Sequence, residues 1–178
     1  VLRNLDEALA FCCLLAPGKH LILIGAGFIG LELAASAQKL GCQVTVLEMA
    51  PRILGRAVPP EVAEAVASEH KQQGVKIRCD VQLDHIQALK IGYTVKLKNG
   101  ESITGDLVVA GIGAAPEVAL AEAAGLDIEN GVSVNAFLQT SDPDIYAVGD
   151  CCSFPHFLYE QRRMRLEMWR CARDQAEC

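Results

Sequence analysis

The stretch LILIGAGFIGLELA, residues 21–34, breaks an apolar run with three glycines and decides the fold. Residues 20–25 are continuously apolar after the first position, which is typical of a central parallel strand buried on both faces. Residues 28–40 change to a helical periodicity, and residues 43–48 return to a β-branched, strand-like pattern. The sequence therefore predicts a βαβ unit. The residues predicted to share one face of its helix are Ile29, Leu33, Ala37 and Leu40.

The three glycines have the spacing Gly-x-Gly-x-x-Gly, and an acidic residue, Glu48, follows Gly30 by eighteen positions at the end of the next strand. In such a unit Gly25 permits the tight turn, Gly27 leaves room for a pyrophosphate beside the backbone, and Gly30 lets the helix pack closely on the sheet. The helix N-terminus offers free N–H groups and a positive dipole end to phosphates. The pattern predicts a dinucleotide site, with a glycine-rich turn that binds nothing as the alternative.

The residues around this motif favour NAD over NADP. A carboxylate at Glu48 accepts hydrogen bonds from a ribose diol and repels a 2′-phosphate. Arg52 and Arg56 in the following loop carry the opposite possibility, because either guanidinium can receive a phosphate, and a solvated loop is the alternative for both. Glu32, near the start of the helix, is explained from the residues alone by the favourable interaction of an acid with the helix dipole.

The rest of the chain continues the α/β pattern and adds an antiparallel excursion. Alternating apolar and polar residues over 81–105, with a turn signal at Asn99-Gly100, predict a hairpin solvated on one face. Because the chain starts at Val1 and ends in a helix-like run without a stop signal, we expect a piece of a longer polypeptide. The further predicted elements are helices at 4–16, 60–74 and 116–125, a strand at 75–80, a buried strand at 106–113, and short strands within 131–150.

Composition excludes several classes of function. A net charge of −6 and a pI near 5.2 argue against nucleic acid or an anionic membrane as the main partner. The apolar runs are too short for a spanning helix, so a soluble, cytoplasmic protein is predicted. Eight cysteines lack zinc-site spacing. We expect free thiols, with a vicinal disulfide at Cys12-Cys13 or Cys151-Cys152 as the alternative.

Four segments together resemble one family: GAGFIGLELAASAQKLGCQVTVLEMAPRILGRAVPPEV, DLVVAGIGAAPEVALAEAAGL, TSDPDIYAVGDC and RLEMWRCARDQA. They are similar to the NADH-binding domain of FAD-dependent ferredoxin and rubredoxin reductases, in the pyridine nucleotide–disulfide oxidoreductase superfamily. The resemblance implies an α/β fold with a Rossmann-like parallel sheet and an antiparallel β excursion, inserted into the FAD domain of a flavoprotein with two dinucleotide sites. It implies that residues 1–130 are the NAD(H)-binding domain with its lead-in helix. Residues 131–178 would then begin the returning FAD segment.

The resemblance also implies an activity, in which a hydride passes from NADH to FAD and electrons then pass to an iron–sulfur carrier of the ferredoxin or rubredoxin type. Glu32 matches a glutamate near the nicotinamide and is the candidate catalytic residue. Glu48 matches the adenine-ribose ligand. The other residues implied to contact NAD(H) are Phe28, Ile29, Gly111, Ile112 and Gly113, together with the three glycines, Arg52 and Arg56.

In the returning segment the resemblance assigns FAD contacts to Gly149, Asp150, Glu167 and Trp169. Asp150 matches the aspartate that binds the ribityl chain, and Gly149 is expected to let the flavin phosphates approach the backbone. Two departures stand out: the first glycine motif that would hold the flavin ADP is not in this sequence, and Cys171 stands where such reductases often have asparagine.

Two alternatives remain at this point. The electron acceptor is open, since a disulfide, a persulfide, peroxide or oxygen would suit the same domain. A stand-alone NAD-binding module without turnover is the alternative outside catalysis. The oligomeric state is left open by the sequence.

Overall fold

A computed structural model describes residues 4–177, and the chain divides into two compact units after Gly113. The first unit contains α1 (Leu5–Cys12), β1 (His20–Ile24), α2 (Phe28–Lys39), β2 (Gln43–Leu47), α3 (Pro60–Gln72), β3 (Lys76–Arg78), β4 (Leu83–Ala88), β5 (Tyr93–Leu97), β6 (Ser102–Gly105) and β7 (Leu107–Ala110). The second contains α4 (Ala119–Ala123), β8 (Val132–Ser133), β9 (Cys152–His156), β10 (Arg162–Met164) and α5 (Trp169–Ala176). The predicted boundary between an NAD domain and an FAD segment at residue 130 stays a prediction.

A four-stranded parallel sheet forms the centre of the first unit, in the order β3-β2-β1-β7. β1 is the strand predicted from the apolar run, and it pairs with a parallel neighbour on each side. Leu21 and Ile22, on opposite faces of β1, are both fully buried, as expected of a strand covered on both faces. The mixed α/β class and the βαβ unit are confirmed.

The face of α2 that contacts the core differs from the predicted one. Ile29 and Leu40, two of the residues predicted to share one face, are 63% and 50% exposed, so that face is not the buried one. The reason is steric: a Cβ at Gly30 would lie 2.3 Å from the Gly25 carbonyl oxygen, so the helix touches the sheet through its smallest residues. Large apolar residues dominated the predicted periodicity. The residues of α2 that are buried are Gly30, Leu31, Ala34 and Ala37.

The antiparallel excursion is confirmed as a separate sheet in the order β4-β5-β6. The turn at Asn99-Gly100 joins β5 to β6, with Gly100 at φ +89° and the Asn99 Oδ1 accepting from the Glu101 N–H at 3.0 Å. Val95 of β5 packs with Ile22 in a core cluster separate from the one under the helices. The excursion therefore covers one face of the parallel sheet while the helices cover the other.

The helices are shorter than predicted. Asn4 caps α1, because its Oδ1 accepts from the Glu7 N–H at 2.8 Å, but α1 ends at Cys12 rather than at residue 16. α4 has five residues, fewer than the predicted 116–125. A short helix of this kind depends on tertiary contacts more than on its own propensity.

The second unit departs most from the prediction. The expected short strands within 131–150 reduce to β8, which has two residues, and an isolated bridge between Gln139 and Tyr146. The strands β9 and β10 were not predicted. The Arg163 guanidinium joins this small sheet, donating to Ser133 Oγ at 2.6 Å and to the Ser153 carbonyl at 2.6 Å.

Among the residues from 4 to 177, no helix combines the length and apolar character needed to cross a membrane.

Candidate dinucleotide-binding site

The turn after β1 lies between the ends of β2 and β7. Gly25 has φ +98°, and a Cβ there would lie 2.4 Å from the Gly111 carbonyl oxygen. The Gly25 N–H donates to the Leu47 carbonyl at 2.8 Å, and the Gly111 N–H donates to the Ile24 carbonyl at 2.7 Å. Only glycine fits this position, since a side chain would need both a left-handed backbone and space that Gly111 occupies.

Gly27 is in the opposite situation. Its φ is −79° and its ψ −177°, values that any residue adopts, and no atom outside residues 26–28 lies within 4 Å of the position a Cβ would take. Nothing within the fold requires glycine there. Gly27 is also the N-cap of α2 and supplies no side-chain cap. The amides of the first helical turn have no intrahelical acceptor and lie beside this open space.

Glu48 follows β2 and is bound to the glycine turn. Its Oε2 accepts from the Ala26 N–H at 2.7 Å, and its Oε1 accepts from the Ala50 N–H at 2.8 Å. Each carboxylate oxygen has a second lone pair, so the half-buried group retains acceptor capacity for a ribose hydroxyl. The spacing of the motif identified Glu48, but not these two hydrogen bonds. The ribose contact stays a prediction.

The two loop arginines differ in their surroundings. Arg52 donates from Nη1 to the Val58 carbonyl at 3.0 Å and from Nη2 to the Gly55 carbonyl at 2.8 Å. Its guanidinium is thus engaged within its own loop. Arg56 is exposed. A phosphate contact by either arginine stays a prediction, and the geometry leaves Arg56 the freer of the two.

Large apolar side chains surround this edge of the sheet without being buried. They stand at the start of α2 and just after β2 and β7. Because the carboxyl ends of parallel strands meet at one edge, they form an apolar rim around the glycine turn. Exposed apolar groups in such a cluster mark a ligand groove. The rim residues are Phe28, Ile29, Met49 and Ile112, which are 58%, 63%, 74% and 74% exposed.

The sequence analysis did not predict Met49 as a site residue. Its position directly after Glu48, the acid at the end of a strand, is a signal that would have identified it. Glu32 is exposed one helical turn after Phe28, and Gly113 has φ +105° with open space beside it. The predicted NAD residues of the first unit are therefore brought to one edge of the sheet.

In the second unit, Gly149 packs closely against the last helix. Gly149 has φ +74°, but a Cβ there would lie 3.0 Å from the Ala172 Cβ of α5, and its N–H donates to Gln175 Oε1 at 2.7 Å. The missing side chain thus serves the packing of α5. A flavin contact at Gly149 stays a prediction.

Two of the other predicted flavin residues, Asp150 and Glu167, contact Arg165, whose side chain is 12% exposed. Its Nη1 donates to the backbone carbonyl of Asp150 at 3.2 Å and pairs with Glu167 Oε1 at 2.6 Å. The Asp150 side chain is exposed, and Trp169, the first residue of α5, is 78% exposed. Nothing in the spacing of the sequence predicted the role of Arg165.

Comparison with known proteins identifies the family. The family described as pyridine nucleotide-disulphide oxidoreductase matches residues 1–176. The chain belongs to this family. It is 40% identical over 178 residues to putidaredoxin reductase CamA of Pseudomonas putida, covering 98% of this chain and 42% of that protein. It is 37% identical over 178 residues to the rubredoxin-NAD(+) reductase of the same species, covering 99% of this chain and 46% of that one.

Solved structures of the same family share the fold. The ferredoxin reductase for the CYP199A2 system from Rhodopseudomonas palustris matches with a TM-score of 0.94 at 40% identity, covering 99% of this chain and 44% of that one. The chain thus spans less than half the length of the relatives it matches.

The cysteines of a disulphide oxidoreductase could in principle react as thiols, so their state and pKa bear on the chemistry. All seven cysteines in residues 4–177 carry free thiols. Burial, followed by the nearby Cys151 and Cys171, raises the pKa of the Cys152 thiol to about 11. Burial also raises the pKa of Cys171, with Asp174 contributing. Because the thiolate is the reactive form, these two thiols are poor nucleophiles at neutral pH.

Proposed function

We propose that the protein acts as an NADH-dependent flavoprotein reductase, in which a hydride passes from NADH to FAD and electrons then pass to an iron–sulfur carrier of the ferredoxin or rubredoxin type. One observation carries the proposal: the backbone at Gly27 faces space that no protein atom fills, at a helix N-terminus and close to Glu48. This is the arrangement a pyrophosphate requires. The names of the relatives, which include putidaredoxin, rubredoxin and ferredoxin reductases, support the choice of carrier.

The protein's part in this reaction is binding and orientation, since the nicotinamide and flavin supply the hydride chemistry when bound. The free N–H groups of the first turn of α2 would hold the pyrophosphate, and Glu48 would accept from the adenine ribose. Glu32 would lie at the nicotinamide end. In the second unit the exposed carboxylate of Asp150 fits a partner rich in sugar hydroxyls, while Ala172 occupies the space beside the Gly149 Cα in the direction of a Cβ.

The location and two competing functions remain to be tested. We infer a cytoplasmic protein, which the many cysteines without a disulfide framework support. A reductase of disulfide, persulfide, peroxide or oxygen would use the same NAD site. A stand-alone NAD-binding module would bind NADH without turnover.

The direct test is to purify the product of the full reading frame that contains this chain, add FAD, and scan its absorbance for flavin bands before and after NADH. We expect bound flavin that NADH bleaches, and NADH oxidation that is fastest with a ferredoxin or rubredoxin among a panel of acceptors. Faster turnover with a disulfide, persulfide, peroxide or oxygen would reject the carrier. NADH binding without flavin or turnover would establish the binding module instead.

Replacement of Glu48 by alanine is expected to reduce NADH affinity and to raise the relative affinity for NADPH by about tenfold, the order expected for one charge-assisted hydrogen bond. The variant removes both the ribose acceptor and the charge that repels a 2′-phosphate. Titration calorimetry with both nucleotides measures the ratio. Glu48→Gln is the matched control, because it keeps one oxygen acceptor for a turn amide and should recover part of the NADH affinity. An unchanged NADH-to-NADPH ratio in Glu48→Ala would remove Glu48 from the site.

A further inference from the structure

We propose that Arg52 is a positioning residue for the nucleotide-binding turn, acting through the loop 50–58 rather than by touching a phosphate. The inference rests on the proposed NAD site, and it concerns how the peptide before Gly27 is held in place. The sequence left Arg52 as a candidate phosphate ligand, so the two roles predict different results.

The peptide groups around Ala26 are held from two sides. The Ala26 N–H donates to Glu48 Oε2 at 2.7 Å, and the Ala26 carbonyl accepts from the Leu54 N–H at 3.0 Å. Ala26 itself is 1% exposed. Because Gly27 follows directly, these two hydrogen bonds fix the direction in which the Gly27 backbone and the first turn of α2 face the open space.

Leu54 donates its hydrogen bond from a strained conformation. Its φ of +51° is left-handed, a conformation that is unfavourable for a residue with a side chain. Its side chain and that of Ile53 are 5% and 2% exposed and belong to the main core cluster, so packing retains the strain. Strained positions held by their surroundings occur at functional sites, and here the strain aims the Leu54 N–H at Ala26.

Arg52 stabilises the turn that contains Leu54, and we call its hydrogen bonds to this turn the brace. Its two terminal nitrogens donate to the carbonyls of Gly55 and Val58, while the Leu54 carbonyl accepts from the Ala57 N–H at 2.9 Å. The planar guanidinium spans both carbonyls at once, which an ammonium group cannot do with the same geometry. The side chain therefore fixes residues 54–58 in the form that supports the glycine turn.

A brace and a phosphate ligand differ in which nucleotide they affect. The glycine turn contacts the pyrophosphate, which NADH and NADPH share. Loss of the brace should therefore weaken both nucleotides by the same factor and leave their ratio unchanged. Loss of a direct contact with the 2′-phosphate should weaken the binding of NADPH alone.

The test compares Arg52→Met and Arg52→Lys with Lys90→Met, which removes a charge from the exposed turn between β4 and β5. Titration of each protein with NADH and NADPH should show about tenfold weaker binding of both to Arg52→Met, the order of one charge-assisted hydrogen bond. Arg52→Lys should recover part of the loss, and Lys90→Met should bind as the parent does. A loss confined to NADPH, or none, would overturn the inference.

Amide hydrogen exchange without nucleotide tests the brace independently of binding. The Leu54 N–H should exchange at least about tenfold faster in Arg52→Met than in the parent protein, because local opening exposes it. Unchanged protection would overturn the inference even if affinity fell. Should Arg52→Met not fold, Arg52→Lys, which keeps the charge and one donor, carries both measurements. If the parent protein binds neither nucleotide, the proposed function fails, while the exchange experiment still decides whether Arg52 holds the loop.

Discussion

Replacing Gly27 by valine is expected to abolish detectable NADH binding while the protein stays folded. The backbone of Gly27 has an ordinary conformation, and a side chain there meets no protein atom within 4 Å. A branched side chain would instead occupy the space assigned to the pyrophosphate. We expect affinity to fall by at least about a hundredfold, since a misplaced or displaced phosphate forfeits several charge-assisted hydrogen bonds at once.

Calorimetric titration with NADH and thermal unfolding of the same samples measure the two effects separately. Gly27→Ala should give an intermediate loss of affinity, because its methyl group is smaller. Ser36→Val places the same branched side chain at an exposed position of the same helix and should leave affinity unchanged. Parent-like NADH binding by Gly27→Val would show that the open space is not the nucleotide site.

Replacing Gly25 by alanine is expected to have the largest effect on folding. The new Cβ would lie 2.4 Å from the Gly111 carbonyl oxygen in a backbone with φ +98°. The left-handed conformation and the overlap together should lower the free energy of unfolding by about 3 kcal/mol. NADH binding should fall with it, because the turn cannot close between β2 and β7.

Urea unfolding measures this change, and Gly100→Ala is the matched control. Gly100 has φ +89° but no atom within 4 Å of its Cβ position, so the control contains the backbone strain without the overlap. Gly25→Ala should be clearly more destabilising than Gly100→Ala. Equal destabilisation by the two variants would mean that the close contact with Gly111 does not constrain the turn.

The parts of the fold that could be predicted are those set by local requirements. A strand buried on both faces needs a continuous apolar run, and a tight strand-to-helix turn needs glycine at Gly25, so β1, α2 and β2 followed from the sequence. The contact face of α2 did not, because it depends on how closely the helix approaches Gly25 and not on which residues are large. Exposed Ile29 and buried Gly30 invert the ordinary hydrophobic pattern.

The second unit was less predictable for a different reason. Its small sheet is held by Arg163, which reaches from β10 to the backbone and side chains of residues far away in sequence. Periodicity carries no signal for such a contact. Gly149 shows the same limit: the space beside its Cα is occupied by Ala172 in α5, more than twenty positions later.

At the candidate site, the spacing of the motif predicts roles for the glycines and Glu48, because phosphate and ribose binding require those residue types at that spacing. The supports of the turn were not visible. Leu54 adopts a left-handed backbone without being glycine or asparagine. From the sequence alone, Arg52 cannot be distinguished from an arginine that binds a phosphate. Only the hydrogen bonds of the folded loop distinguish the two roles of Arg52.

The most direct test is a titration of the isotope-labelled protein with NADH, followed by the shifts of its backbone amide signals in NMR spectra. The largest shifts should fall on Gly27, Phe28 and Ile29, whose N–H groups lie at the N-terminus of α2 and would turn toward the pyrophosphate. If saturating NADH leaves these amides unmoved, or shifts others while these stay in place, the diphosphate does not bind at the first turn of α2.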